Sequence, residues 1–162
     1  YSLTKIVPAR EVYSSVEWPV IILLASVIPL GASLESNGTT ELIVRILTKY
    51  ALTMEPWLII AILMIITMTL SDILNNTATT LVIAPISIQL SQTLNLNTDT
   101  FLMAVAISAS CAFLTPIGHK NNTIILGPGG YRFGDYWKMG ILLEVLIIST
   151  SIPLLLLFWP IN

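Results

Sequence analysis

The stretch "LNNTATTLVIAPI", Leu74 to Ile86, sets two asparagines and three threonines between segments that otherwise read as membrane helix. Polar side chains are costly in hydrocarbon, and so is any backbone whose helical hydrogen bonds they interrupt. Whether this cluster lies in water or within a bilayer determines what kind of molecule the chain forms.

The rest of the sequence favours a bilayer. Only 10% of the 162 residues are charged, against 55% hydrophobic, and the mean hydropathy is +0.86. Soluble domains carry about 25% charged residues, so too little charge is present to cover a water-facing surface. The charges are also clustered. None lies between Glu17 and Glu35, between Glu55 and Asp72, between Asp72 and Asp99, or after Glu144, and only His119 interrupts the run from Asp99 to Lys120. Each gap approaches the ~17–25 residues of a spanning helix. The fold class expected is an all-α integral membrane protein, multi-pass, in the plasma or inner membrane of the cell. A net charge of −2 without a basic patch gives no reason to expect a nucleic-acid partner. A single cysteine, Cys111, excludes a disulfide or a thiolate metal cage within the chain. The first residues, Tyr1-Ser2-Leu3-Thr4, have neither an initiator methionine nor a signal-peptide layout, so the chain is expected to be part of something longer.

Five segments follow. A first helix is expected over 18–35, with Trp18 at an interface and Asn37-Gly38 turning the chain. Over 39–51, Glu41, Arg45 and Lys49 recur every fourth residue opposite Leu42, Ile43, Ile46 and Leu47, the pattern of an amphipathic arm helix in the interface plane. Residues 56–92 hold two apolar arms, entered at Pro56-Trp57 and separated by the polar cluster. Residues 101–130 form an apolar run, Phe101 to Leu114, broken at Thr115-Pro116-Ile117-Gly118-His119-Lys120-Asn121-Asn122 and closed by Gly127-Pro128-Gly129-Gly130. A terminal helix is expected over 138–160.

Both breaks carry the same triplet, Asn75-Asn76-Thr77 and Asn121-Asn122-Thr123, ahead of an apolar run, as in helix N-capping. Inside a bilayer such interruptions are tolerated only where protein or a cavity satisfies the freed backbone groups, and secondary transporters use them as ion sites. The N–H groups at a half-helix N-terminus attract an anion. Carbonyl, amide and hydroxyl oxygens hold a hard cation such as sodium. Leu74 to Thr77 would then be the tip of a re-entrant helical hairpin facing the broken helix. Charge allows this topology: Lys5, Arg10, Arg132 and Lys138 share one side of the membrane, with Arg45 and Lys49 on the other. Two full crossings by the hairpin arms would give the same parity.

Blander readings stand beside these. Asn75-Asn76-Thr77 also fits an extramembrane loop, and both triplets match the N-glycosylation sequon. Asp72 reads equally as a functional intramembrane acid or as a cap on a backbone amide. His119 fits a hydrogen-bonded structural residue as well as a ligand, Gly127-Pro128-Gly129-Gly130 a helix terminator, and Cys111 a small packing residue.

"SDILNNTATTLVIAPI" and "SASCAFLTPIGHKNNTIILGPGGYRFGDYWKMG" together resemble the two motif blocks of the divalent anion:sodium symporters, the family of dicarboxylate, citrate and sulfate carriers, and the resemblance covers nearly the whole chain. It implies one half, the C-terminal repeat, of an inverted-repeat transporter. The partner would be the N-terminal repeat of the same protein, the complete protein a homodimer, and the surroundings membrane lipid. By position, Asn75, Asn76, Thr77, Gly118, His119, Lys120 and Asn122 would face a small anionic substrate. Ser71, Leu74, Asn76 and Gly118 would hold sodium as the coupling ion; no other cofactor is implied. Two positions depart from the family: Asn75 stands where serine is usual, and Lys120 where a neutral residue is usual. The function implied is secondary active transport of sulfate, a dicarboxylate or citrate. An enzyme would need a catalytic pair, and no nucleophile motif accompanies His119 and Asp72. A non-transporting fragment or scaffold is the remaining alternative.

Overall fold

In the computed structural model, residues 36–51 and 53–161 are described, with a few further positions within 21–33, so the helix expected over 18–35 lies largely outside the described residues. Among the described residues every regular element is helical: α1 Thr39–Ala51, α2 Pro56–Ile73, α3 Asn76–Thr93, α4 Thr98–Ala109, α5 Lys120–Leu126, a 3₁₀ turn Phe133–Asp135, and α6 Tyr136–Phe158.

The helix boundaries follow from local chemistry. Gly38, at φ 69°, turns the chain into α1 in a conformation that side chains with a Cβ rarely adopt. Pro56 opens α2, where its missing N–H would have had no helical partner. Leu74 and Asn75 are both extended, and the Asn75 side chain accepts a hydrogen bond from Ala78 N at 2.8 Å, so α2 stops and α3 starts within two residues. Asn97 caps α4 in the same way through Asp99 N. Asn95 takes a left-handed φ of 54° in the link between α3 and α4, a conformation asparagine tolerates better than most residues. After α5, Gly129 N donates to Ile125 O and Tyr131 N to Leu126 O, while Gly130 turns at φ 65°.

Helix α4 ends earlier than the sequence suggests. The apolar run reaches Leu114, yet the helix stops at Ala109. Its last turn tightens, with Ser110 N on Ile107 O and Cys111 N on Ser108 O. The Ala109 carbonyl accepts from a side chain of α2, and the Leu114 N–H donates to another, so tertiary partners compete successfully with continued helix. At the other end of the break, α6 begins at Tyr136, ahead of the position expected from hydropathy, because Arg132 and Asp135 close a 3₁₀ turn that leads directly into it.

Helix α4 is the centre of the packing. It lies against both α2 and α3, while α1 covers α3 and α6 covers α2 and α4. Phe101, Ala104 and Val105 of α4 meet Ile60, Met64 and Met68 of α2 and Leu90 of α3 in one cluster from which solvent is excluded. Small residues, Ala104, Ser108 and Ala109, let the backbones approach. The end of the chain is tied to the start of α4: Asn97 N donates to Ile161 O, Asn97 Nδ2 to Pro160 O and Thr100 Oγ1 to Trp159 O. Near the other end of α6, Gly140 packs on the carbonyl of Phe113, just past the end of α4. Helix α6 therefore runs antiparallel to α4.

Two helical stretches, Pro56–Ile73 and Phe133–Phe158, are long and apolar enough to cross a membrane by length and composition. Half of the first is buried inside the protein, against only 11% of the second. In lipid the transfer of apolar groups between helices contributes little, and close packing carries the stability. Phe101→Ala is expected to cost about 3 kcal/mol, the low end for a buried aromatic because the cavity penalty remains when the transfer penalty is small. Thermal unfolding of the full-length protein in detergent measures this, with Phe158→Ala, on an exposed side chain, as the unaffected control.

Candidate functional site

The two breaks meet. Ser71, in the last turn of α2, is fully buried; its Oγ lies 2.6 Å from the Ala109 carbonyl and 3.0 Å from Asn76 Oδ1. One hydroxyl proton is divided between the two acceptors, so the shorter contact to Ala109 holds most of it. Asp72 is 2% exposed, and its Oδ1 accepts from Leu114 N at 2.9 Å. Its backbone carbonyl accepts from Thr115 Oγ1 at 2.7 Å, and that same Oγ1 accepts from Gly118 N at 3.1 Å. Thr115 thus relays between the end of α2 and the second break. Three cross-links, from Ser71, Asp72 and Thr115, join the two interruptions into one body.

Gly118 fits because it has no side chain. A Cβ would come within 2.8 Å of Ala112 Cβ, 3.0 Å of Asp72 Cα and 3.2 Å of Ser71 O. The glycine lets the second break lie directly on the Ser71–Asp72 backbone. Asn122 closes the same loop from its far side, its Nδ2 donating to Ala112 O at 3.0 Å and Thr115 O at 3.2 Å. Thr123 Oγ1 donates to Pro116 O, and Tyr136 OH donates to the Asn122 carbonyl. Side chains thus take up the N–H groups of Leu114 and Gly118 and the carbonyls of Ala112, Thr115 and Pro116, groups that an interrupted helix leaves free.

The sequence-derived site residues fall into two groups. Ser71, Asn76 and Gly118 are brought together, and Leu74 follows as the C-cap of α2, its N–H on Leu70 O. Asn75 uses its side-chain oxygen to cap α3, leaving its amide nitrogen outward. With Ala78 N held by the Asn75 side chain and Thr79 N by the Asn75 carbonyl, the Asn76 and Thr77 N–H groups are the first-turn donors that neither serves. Asn76 and Thr77 line a cavity of about 300 Å³ with Thr80 and Leu81. Asn122 lies elsewhere, on a larger, mostly apolar cavity of about 620 Å³ between α5 and α6, with Phe113, Tyr131 and Tyr136. His119 is the N-cap of α5: its Nδ1 accepts from Asn121 N at 3.2 Å, so the ring proton is on Nε2. Lys120 opens α5 and is exposed.

Thr115 and Glu144 reach the meeting point of the two breaks without standing out from the sequence. Thr115 was one polar residue among several in a break. Glu144 bounds an apolar run and has the only charged side chain between Lys138 and the end of the chain. It carries its carboxyl from α6 to within hydrogen-bonding range of Asp72. Its isolation in the run was the signal available, and its partner could not be read from spacing. Among the described residues no group of three or more His, Cys, Asp or Glu could hold a metal ion. Ser71, Leu74, Asn76 and Gly118 offer a cation only hydroxyl, amide and carbonyl oxygens.

Comparison with known proteins identifies the family. The family model described as citrate transporter matches residues 2–161. An uncharacterised transporter of Synechocystis is 38% identical over 91% of this chain and 24% of its own length. The uncharacterised transporter YfbS of Escherichia coli is 30% identical over 95% of this chain and 25% of its own. The sodium-dependent dicarboxylate transporter SdcS of Staphylococcus saprophyticus is 27% identical over 88% of this chain and 27% of its own. The chain spans about a quarter of the length of these relatives. The family and these relatives are named as transporters, not enzymes, and transport across a membrane places the chain among membrane proteins. With the family match running through almost every residue, and with its two interrupted helices fastened to each other, the chain belongs to the citrate transporter family of anion permeases.

Proposed function

We propose that the full-length protein is a secondary active carrier of a divalent oxyanion or carboxylate, such as sulfate, a dicarboxylate or citrate, and that sodium drives it. The observation that carries this reading is the cavity at the start of α3, where Asn76 and Thr77 offer backbone N–H groups and polar side chains together. Such a helix start attracts negative charge without a formal cation, which favours binding that can also be released. In this reading α2 and α3 are the arms of a re-entrant hairpin with Leu74–Thr77 at its tip, α1 is an interfacial arm, and the chain is a repeat that works with a second, inverted repeat in a homodimer in the cell membrane. Asn75, Asn76 and Thr77 bind the anion, with His119 and Lys120 at its edge. Gly118 holds the second break against the tip. Asn122 contributes to substrate binding by keeping that break in shape. Sodium sits among oxygens of Ser71, Leu74, Asn76 and Gly118. The printed names of relatives support the sodium part, since two of them are sodium-dependent dicarboxylate transporters.

The direct test is uptake of labelled sulfate, succinate and citrate into proteoliposomes containing the full-length carrier, with sodium or choline outside. Saturable uptake of at least one anion that falls at least tenfold without sodium is expected. No uptake of any of the three, in either salt, would overturn the assignment. Asn76→Ala is expected to abolish that uptake while the protein still inserts and elutes as wild type, because it removes a side chain at the cavity but no packing contact of α4. Gly118→Ala is expected to reduce uptake at least tenfold through the crowding of Ser71 and Asp72. Retained uptake in that variant would show that the second break need not touch the tip.

A further inference from the structure

Asp72 and Glu144 leave an electrostatic problem that the site described so far does not solve. The two carboxyl groups face each other within hydrogen-bonding range, one at the end of α2 and the other in the third turn of α6. Asp72 spends Oδ1 on Leu114 N; its Oδ2 is shielded from solvent and has no donor, and Glu144 Oε1 is shielded and without a donor as well. Two carboxylates at this separation repel, more strongly the drier their surroundings. Besides each other, the groups that act on the pair are the backbone N–H groups of Leu114 and Thr115, on Asp72, and Glu144 in turn acts on the Cys111 thiol. Helix α3 has no ionisable side chain; α4 has only Asp99, at its far end; Lys120 opens α5 and is exposed; and Lys138 is exposed and 3.9 Å from Asp135. No described lysine or arginine is among the groups that act on the pair.

A further oxygen is at hand. Phe113 lies outside any helix, and its carbonyl packs so tightly on Gly140 that a Cβ there would approach to 2.6 Å. Gly140 stands four residues before Glu144 on α6, hence on the same face, one turn away. The second break thus presents a main-chain carbonyl beside the helix face that carries Glu144, while its neighbour Leu114 holds Asp72. Carboxylate oxygens with a peptide carbonyl are the ligand chemistry of a hard cation.

We propose that Asp72 Oδ2 and Glu144 Oε1, with the Phe113 carbonyl beside them, bind a sodium ion that is separate from the one at the hairpin tip. The proposal rests on the reading of the protein as a sodium-driven carrier, and it assigns one of the driving ions. The ion would join α2, the second break and α6, so its binding would hold the tip and the break together before the anion arrives.

The test counts sodium rather than transport. Purified full-length carrier in detergent, without anion, is titrated with sodium-22 at constant ionic strength, and its unfolding temperature is followed in sodium against choline. Glu144→Gln is expected to bind about one sodium fewer per protein at saturation and to lose part of the sodium-dependent rise in unfolding temperature. The neutral amide can still donate to Asp72, so the variant is expected to fold. Asp72→Asn, which keeps an oxygen for Leu114 N, should give the same loss, and Lys138→Gln should give none. Wild-type sodium stoichiometry in both Glu144→Gln and Asp72→Asn would overturn the site. A change in the pH dependence of unfolding with sodium binding intact would overturn it also, by showing that the pair shares a proton. Anion uptake plays no part in the count, so a carrier that binds sodium here but moves none of the tested anions would refute the transport reading and leave this site standing.

Discussion

The structure depends on satisfying broken backbone packed against buried side chains, Ser71 and Asp72 above all. A helix interrupted within a bilayer frees N–H and C=O groups, each costing several kcal/mol if left unpaired. Here the end of α2 and the stretch from Ser110 to His119 supply partners to each other. Ser71 Oγ reaches the Ala109 carbonyl, Asp72 takes the Leu114 N–H, and Thr115 Oγ1 reaches the Asp72 carbonyl. Neither interruption is self-sufficient. Remove one, and Ser71 Oγ, the Asp72 carboxylate and Thr115 Oγ1 lose the partners that cross between the two. This is why α4 ends at Ala109 although the apolar sequence continues, and why Gly118 must be small enough to lie on Ser71 and Asp72.

That mutual dependence has a mechanical consequence. Residues that would touch an anion, Asn76 and Thr77, share a rigid unit with Ser71 and Gly118, whose oxygens are suited to sodium. An ion that tightens one break necessarily acts on the other, because the connection runs through hydrogen bonds and backbone contact rather than through flexible loops. Coupling between two ligands needs a shared element whose arrangement both of them bias. The fastened tip and break form such an element. The small first-turn cavity is lined by Asn76, Thr77, Thr80 and Leu81 of α3, and the larger apolar cavity shares none of those residues and is lined by Asn122 with residues of α6.

Much of the fold was legible because hydrocarbon punishes polarity so strongly. Charge-free runs located the helical segments. Pro56-Trp57 and Asn75 announced helix starts through their capping chemistry, and the spacing of Glu41, Arg45 and Lys49 marked a helix where one runs from Thr39 to Ala51, whereas the start of α4 at Thr98, behind the Asn97 cap, lies ahead of the Phe101 start expected from the apolar run. What could not be read was which polar group serves which. Ala109 ends α4 because of a serine 38 residues earlier in the chain, a partner no local pattern encodes. Asn122 looked like Asn76, sharing its triplet, yet its amide is spent on the carbonyls of Ala112 and Thr115. The same three letters cap a long helix in one place and brace a loop in the other, and tertiary geometry alone separates them.

Glu144 brings the same logic to α6. In water, a helix with only 11% of its apolar window buried would demand a covering partner. In lipid it demands none, since the tails are as apolar as its leucines. The residue that needs explanation is therefore not any exposed leucine but the one acid in the helix body. It avoids lipid by pointing at Asp72 and the second break, and it thereby fixes the rotation of α6 about its axis. Gly140, one turn earlier, allows the close approach that this rotation requires. Placing a second negative group beside a buried aspartate exchanges one desolvation problem for an electrostatic one. A shared proton or a bound cation relieves that repulsion. Were the proposed sodium ion to leave, the empty pair would push α6 away from α2, and its return would draw the two helices together.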